Sequence, residues 1–481
     1  MIRPNIFLLI VILLLTATIG ASGTIRQQPS ADALFKTGSQ QYAEKRYAEA
    51  AESFRQVVAI RPSAAAYYNL GLSYSALKKY SDAIVAFNQS IGLKPDDYDA
   101  HLYLANTYDD AGQRDNAIAS YKRAIEINPG RAEAYCEMGI AYRGGEIYEK
   151  ALDAFQQCLR LDPSYSRIQK RLGDTYDDLQ RYPEAIAAYK NALTQKPNDY
   201  EVHYLLGNVY YTIKKYPEAI ASYKEAIRIK PDYYSAYIYL GNSLDYNGQD
   251  SEALVAYQQA MKIEPTNPQV YCEMGVAYNS AKLYDKALES YQQCAKLNPK
   301  YPRLQRNLGI NYHSMKRDQE AIAAYKLAIS QDPNDSEAYL RLGDVYEAIK
   351  YHPEAIVAYK DAIRLRPNYP AAHLGMGNVY YNSNAYPDAV NAYKQAVRYK
   401  PDWDVAYLYL GDTYKSMGQY QDAISAYKEA IRINPDYGDA HYNLGLTYIS
   451  AHDKESAMKV YRTLQGIRPE LADKLLAEIQ K

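Results

Sequence analysis

Apolar side chains recur along this chain in two stripes per 34 residues, separated by short polar breaks. Numbering each repeat so that its recurring proline falls at position 32, the first stripe occupies positions 4, 7, 8 and 11. The second occupies positions 20, 24, 27 and 28. Steps of three and four place each stripe on one side of an α-helix. Polar triplets such as Lys78-Lys79-Tyr80 and Asn247-Gly248-Gln249 interrupt the period between the stripes, where a turn is expected. Each repeat therefore predicts a helical hairpin.

The prolines set the register. Pro95, Pro129, Pro163 and their successors to Pro469 follow at intervals of 34, and Pro62 precedes Pro95 by 33. Thirteen repeats run over 31–469. Position 20 is alanine in all thirteen, position 24 is Tyr or Phe in all thirteen, and position 8 is glycine in twelve, with Ala105 the exception. Pro183, Pro217, Pro353 and Pro387 stand at position 18, in the first turn of a second helix, where a missing N–H costs nothing. Glycine within a helix costs about 1 kcal/mol against alanine. The expected compensation is close approach of two backbones at the glycine at 8 and the alanine at 20, with the aromatics at 4, 11 and 24 filling the space beside them. No hairpin of this kind covers both its faces alone, so stability comes from stacking on the next.

The pattern resembles the tetratricopeptide repeat family, a representative repeat being YEVHYLLGNVYYTIKKYPEAIASYKEAIRIKPDY at 200–233. The resemblance implies an all-α fold, a right-handed α-solenoid superhelix of antiparallel helix hairpins whose first helices line a concave groove. It also implies protein binding without catalysis. Residues 470–481 read as a capping helix, with Leu471, Leu475, Leu476 and Ile479 on one side.

At the other end Arg3 precedes an apolar run over 6–15, with small residues at 20–23, so 1–23 reads as an export signal and 24–30 as a linker. A short uncleaved membrane anchor is the alternative. Export implies a periplasmic, extracellular or lumenal location.

Fifty-five basic and 56 acidic side chains leave a formal charge of -1, which offers nucleic acid no global attraction. Only seven histidines are present, four of them (His101, His203, His373 and His441) at position 4 of the packing stripe. His313, at position 12, faces the groove with no recognisable partner. No nucleophile, metal-ligand or phosphate-loop motif occurs, so neither enzymatic activity nor a cofactor or metal is expected.

The four cysteines fall in two pairs 136 residues apart, Cys136 with Cys272 and Cys158 with Cys294, as though a block of four repeats was copied whole. An exported chain with an even count permits disulfides in three connectivities, one of which joins Cys136 to Cys158 and Cys272 to Cys294 across a hairpin. Free buried thiols are the other reading.

In the family, positions 2, 5, 9, 12 and 13 face the groove. In repeats 3 to 7 they carry nine acids against Arg143, Arg167 and Lys170, or -6. The expected partner is a protein or peptide segment, basic or polar, held by Asp109, Asp110, Asp174, Asp177, Asp178 and Asp245. Tyr204, Tyr211 and Tyr246 lie beside them, and Asn208 and Asn242 are suited to a peptide backbone. The basic residues of a carboxylate clamp are missing, which disfavours an acidic tail as ligand. The competing class is a membrane-anchored assembly factor that uses its outer surface, with a nucleic-acid-binding solenoid third.

Overall fold

The computed structural model describes residues 29–481, so the expected leader and most of the linker lie outside the described residues. Among the described residues there are 27 helices and no strand. Every repeat contributes an A helix at positions 1–13, shortened to 3–13 in repeat 9, and a B helix at positions 17–30, as in Ser336–Ala348 and His352–Leu365 of repeat 10. The thirteen repeats are distributed over two compact units, one ending at Lys215 and the other beginning at Tyr216. The division falls inside repeat 6, between its A helix Tyr200–Thr212 and its B helix Tyr216–Ile229. Within each unit successive helices pack antiparallel, A on B and B on the following A. That is an all-α solenoid of hairpins.

The frame residues are buried as their period requires. The alanine at position 20 is fully buried in all thirteen repeats, from Ala50 to Ala457, and twelve of the position-24 rings are at most 2 % exposed. The thirteenth, Tyr461, packs partly buried beside the closing helix Pro469–Gln480, which covers the end of the stack with Leu471, Leu475 and Ile479.

Of the neighbours expected for the glycine at position 8, the aromatic at position 24 is the one that comes nearest. A methyl group built on Gly343 would lie 2.6 Å from Cε1 of Tyr359, and the same position-24 ring crowds Gly173, Gly241, Gly309 and Gly411. The glycine makes room for the face of its own hairpin's ring, and the alanine at 20 plays a lesser part. Ala105 occupies the same place above Tyr121 in repeat 3, so one methyl is tolerated there.

The turn is less ordinary. Position 15 has a positive φ in all thirteen repeats, and only Gly112, Gly248 and Gly418 are glycines. Six of the others are lysines, Lys78 at φ 58° among them. The left-handed region costs an L-residue roughly 1–2 kcal/mol, part of which glycine returns through its larger unfolded-state entropy. Lys78→Gly is therefore expected to stabilise the N-terminal unit by about 1 kcal/mol in urea unfolding. A loss of stability would mean that the lysine side chain does more than fill the turn.

Both cysteine pairs are bridged within their hairpins, Cys136 to Cys158 in repeat 4 and Cys272 to Cys294 in repeat 8. Each bridge ties an A helix to its B helix inside a single unit, with Cα atoms 5.2 and 5.5 Å apart. Sulfurs at positions 5 and 27 meet because those positions face one another across the antiparallel pair.

Candidate functional site

Burying a tyrosine ring at position 24 leaves its hydroxyl in need of an acceptor, since an unmade hydrogen bond there costs about 1–3 kcal/mol. In repeats 3, 5, 7, 10, 11 and 12 position 9 of the same repeat supplies it, whereas in repeats 8, 9 and 13 that position is the apolar Val276, Ile310 or Leu446. Tyr121 donates to Asn106 Oδ1 at 2.7 Å, Tyr189 to Asp174 at 2.9 Å and Tyr257 to Asn242 at 2.6 Å. Tyr359 donates to Asp344, Tyr393 to Asn378 and Tyr427 to Asp412 at 3.0, 2.8 and 2.6 Å. Where position 24 is phenylalanine, in repeats 1, 2 and 4, position 9 is Ser39, Leu72 or Ile140. Asn242 and Asp174, expected to meet a peptide, thus first hold a tyrosine. That bond occupies one oxygen and orients the rest of the group.

The expected acidic residues are divided between the two units. Counting positions 6 and 34 of repeats 3 to 7 as well adds Arg131 and Arg171 but also Glu137 and Asp199, so the excess stays at -6, although several of these acids are paired. Arg131 bridges Asp99 at 2.8 Å and Glu133 at 3.4 Å. Arg143 bridges Asp178 at 2.8 Å, Lys170 bridges Glu201, and Arg171 approaches Asp174 at 3.6 Å. Burial pushes the carboxyl of Asp109 up against the pull of Arg114. Burial also raises Asp174, and it raises Asp177 together with the neighbouring charges of Asp178 and Asp174. Asp110 is exposed. Tyr204, Asn208 and Tyr211 lie partly buried on the A helix of repeat 6.

In the C-terminal unit, Tyr246 is 63 % exposed and stacks on Tyr216 at 5.4 Å. Asp245 has a buried Oδ1 that accepts no hydrogen bond, and burial, helped by Asp250, pushes its carboxyl up to about 6. The larger displacement belongs to Glu273, at position 6 of repeat 8. Burial, with Asp245 adding to it and Arg303 opposing it, pushes Glu273 up to about 7. Arg303 itself has φ 65° at the start of a shortened A helix, Leu304–Ser314. Position 6, left out of the expected groove set, also carries Glu137, raised by burial in repeat 4, and Tyr409. The signal was available: position 6 varies between repeats as freely as the positions that were counted.

The histidines are structural. His101, His203, His373 and His441 each set ring Nε2 against the position-32 proline carbonyl of the preceding repeat, at 2.9–3.1 Å. His313, expected to be unpaired, meets Asp318 Oδ1 at 2.7 Å through its Nδ1. Among the described residues no group of three or more His, Cys, Asp or Glu is placed to hold a metal ion.

A formed cavity of about 270 Å³ lies on the A-helix face of repeats 10 to 12. Two carboxylates, Glu347 and Asp412, line it with the amides of Asn378 and Asn382 and the rings of Tyr381, Tyr393 and Tyr409. Position 6 of repeat 11 is Gly375, where a methyl would run 2.7 Å from the Tyr359 hydroxyl. That hydroxyl donates to Glu347 Oε2 at 2.8 Å. The absence of a side chain at 375 therefore permits the bond that positions Glu347. Asp412 accepts from Tyr427 and from the Asn443 amide, both on Oδ1.

Models of one repeat type match most of the chain. A model described as TPR repeat matches 106–144, 246–281, 311–349, 352–384, 377–418 and 411–450. Models described as tetratricopeptide repeat match 21–65, 136–200 and 170–234, then 64–97 and 268–301, and finally 438–471. Among solved structures the chain is similar to yeast Tom70, at 15 % identity and a TM-score of 0.46, covering 93 % of this chain and 99 % of that one. It is similar to Cut9–Hcn1 of the APC/C hetero-tetramer at 14 % identity and a TM-score of 0.42, covering 94 % and 97 %. The MamA protein matches at 27 % identity and a TM-score of 0.34, over 35 % of this chain and 92 % of that chain. No curated protein matches the chain.

Proposed function

The chain belongs to the tetratricopeptide repeat family, and from that premise we propose that it is an exported, non-catalytic scaffold that holds a peptide or protein segment against the A-helix face of its repeats. One observation carries the reading. The amides and carboxylates at position 9 recur along that face, each fixed by a buried tyrosine hydroxyl of its own hairpin. Groups ordered before a ligand arrives bind it without the cost of ordering them. Export is supported by the apolar leader pattern at 6–15 and by two cystine bridges, which persist in oxidising compartments. Among the described residues no helix is long and apolar enough to cross a membrane.

A second reading, an assembly factor that binds through its outer surface, draws on the B helices. Val85, Val255 and Val357 share position 22 and are 56–62 % exposed. Beside Val357, a shallow pocket is lined by Tyr339, Leu342 and Tyr346.

The two readings separate in one experiment. Peptides are selected from a random library on the full chain, and their affinities are measured on three variants. Two variants alter the A-helix face, Asn378→Ala and the triple Asp174→Asn, Asp177→Asn, Asp178→Asn, and the third is Val357→Asp. On the scaffold reading, each selected peptide loses at least ~tenfold on one of the A-face variants and nothing on Val357→Asp. The reverse pattern transfers binding to the outer surface.

A further inference from the structure

Several acids of the A-helix face have a basic partner, as Glu337 and Asp344 do in Arg341, but the two that share the cavity of repeats 10 to 12 do not. Neither Glu347 nor Asp412 forms an ion pair among the described residues, and no lysine, arginine or histidine lines the cavity. The nearest cation on the same helix is Lys415, one turn beyond Asp412 and half-buried. Its ammonium is pushed down by burial, with Asp412 working against that. Burial raises both carboxyls, tempered at Glu347 by the Tyr359 hydroxyl and at Asp412 by the Tyr427 hydroxyl. Both hydrogen bonds to Asp412 fall on Oδ1, and Oδ2 accepts none. The remaining wall is aromatic, and tyrosine faces attract cations. A volume of about 270 Å³ suits the end of one long side chain.

We propose that this cavity receives the lysine or arginine side chain of a bound protein segment, its cation held between Glu347 and Asp412 and against the tyrosine rings. The proposal rests on the scaffold reading and narrows it to one chemistry at one place. The charge supplied is the one the cavity lacks. The amide of Asn382 stands at the same cavity to meet the backbone that carries the side chain. Asn378 Oδ1 accepts from Tyr393 and its amide also bonds the Glu347 carboxylate, which holds that carboxylate in place at the cavity.

The test uses the full chain and three capped peptides, Gly-Ser-Gly-X-Gly-Ser-Gly with X lysine, norleucine or glutamate, titrated at pH 7 and low salt into the millimolar range. The lysine peptide is expected to bind about tenfold more tightly than norleucine, which has the same stem without the charge, and glutamate not at all. In the double variant Glu347→Gln, Asp412→Asn that advantage disappears. The substitutions leave acceptors for Tyr359 and Tyr427, and an unchanged circular-dichroism melt verifies the fold. The inference is overturned by equal binding of lysine and norleucine, by no binding of either, or by an advantage that survives the double variant. Library-selected peptides that require other A-face residues while the lysine peptide ignores this cavity would sink the inference and leave the scaffold reading standing. Selected peptides that depend only on Val357 would remove the scaffold reading itself.

Discussion

At pH 8 a Glu273→Gln substitution is expected to raise the unfolding free energy by roughly 3 kcal/mol, and at pH 4 to leave it unchanged. Glu273 is pushed from 4.5 to about 7 by burial first and by the charge of Asp245 second. The folded state therefore holds this proton more tightly than the unfolded chain does. Stability is fully present below about pH 4.5 and is lost as pH rises through 7. At about 1.4 kcal/mol per pH unit, the displacement gives the magnitude stated. Asp245, pushed up to about 6, adds a loss of the same sign over a lower window. Urea unfolding of the protein and the variant at pH 4, 6 and 8 measures the difference, in which titrating groups that do not interact with Glu273 cancel and the relief of Asp245 is included. Amide exchange in Pro268–Ser280 reports it locally, which matters because arrays of repeats need not unfold as one unit. Parallel curves at all three pH values would show that Glu273 ionises freely.

Replacing Cys136 and Cys158 together by alanine is expected to cost the N-terminal unit about 3 kcal/mol, from the closure entropy of the loop between them. The residues are 22 apart and fully buried. The same change at Cys272 and Cys294 acts on the C-terminal unit alone, so each pair is a control for the other. A reductant added to the native protein should reproduce both losses. If melting is indifferent to reductant, the sulfurs contribute only as small buried groups.

Much of the hairpin frame could be read directly from residue types. Proline at 32, alanine at 20 and an aromatic at 24 each report a local requirement: a helix stop, a close contact and a core filler. What escaped notice depends on relations between positions. The left-handed turn at position 15 carries lysine more often than glycine, so no turn residue announces it. The bond from position 24 to position 9 leaves only a broken trace in the sequence, since tyrosine at 24 also occurs with Val276, Ile310 and Leu446 at 9. Charge was harder. Arg131 and Arg171 lie outside the positions assigned to the groove, yet their guanidinium groups reach Asp99, Glu133 and Asp174. The count of -6 is unchanged when Glu137 and Asp199 at the same positions are added with them, so what the sequence hid is the pairing of these charges and not their sum. The cavity of repeats 10 to 12 needs side chains from three hairpins and the missing side chain of Gly375, and no single repeat contains it.

Both cystines close a hairpin upon itself and leave the joints between neighbouring hairpins uncrossed. Under tension applied at its ends, such an array can yield at those joints and recoil. Each bridged hairpin, even when torn from its neighbours, withholds a segment of 22 residues, roughly 70 Å of contour at full extension. Repeats 4 and 8 thus act as stops in a spring, limiting how far a load can draw out the chain before a covalent bond must give way.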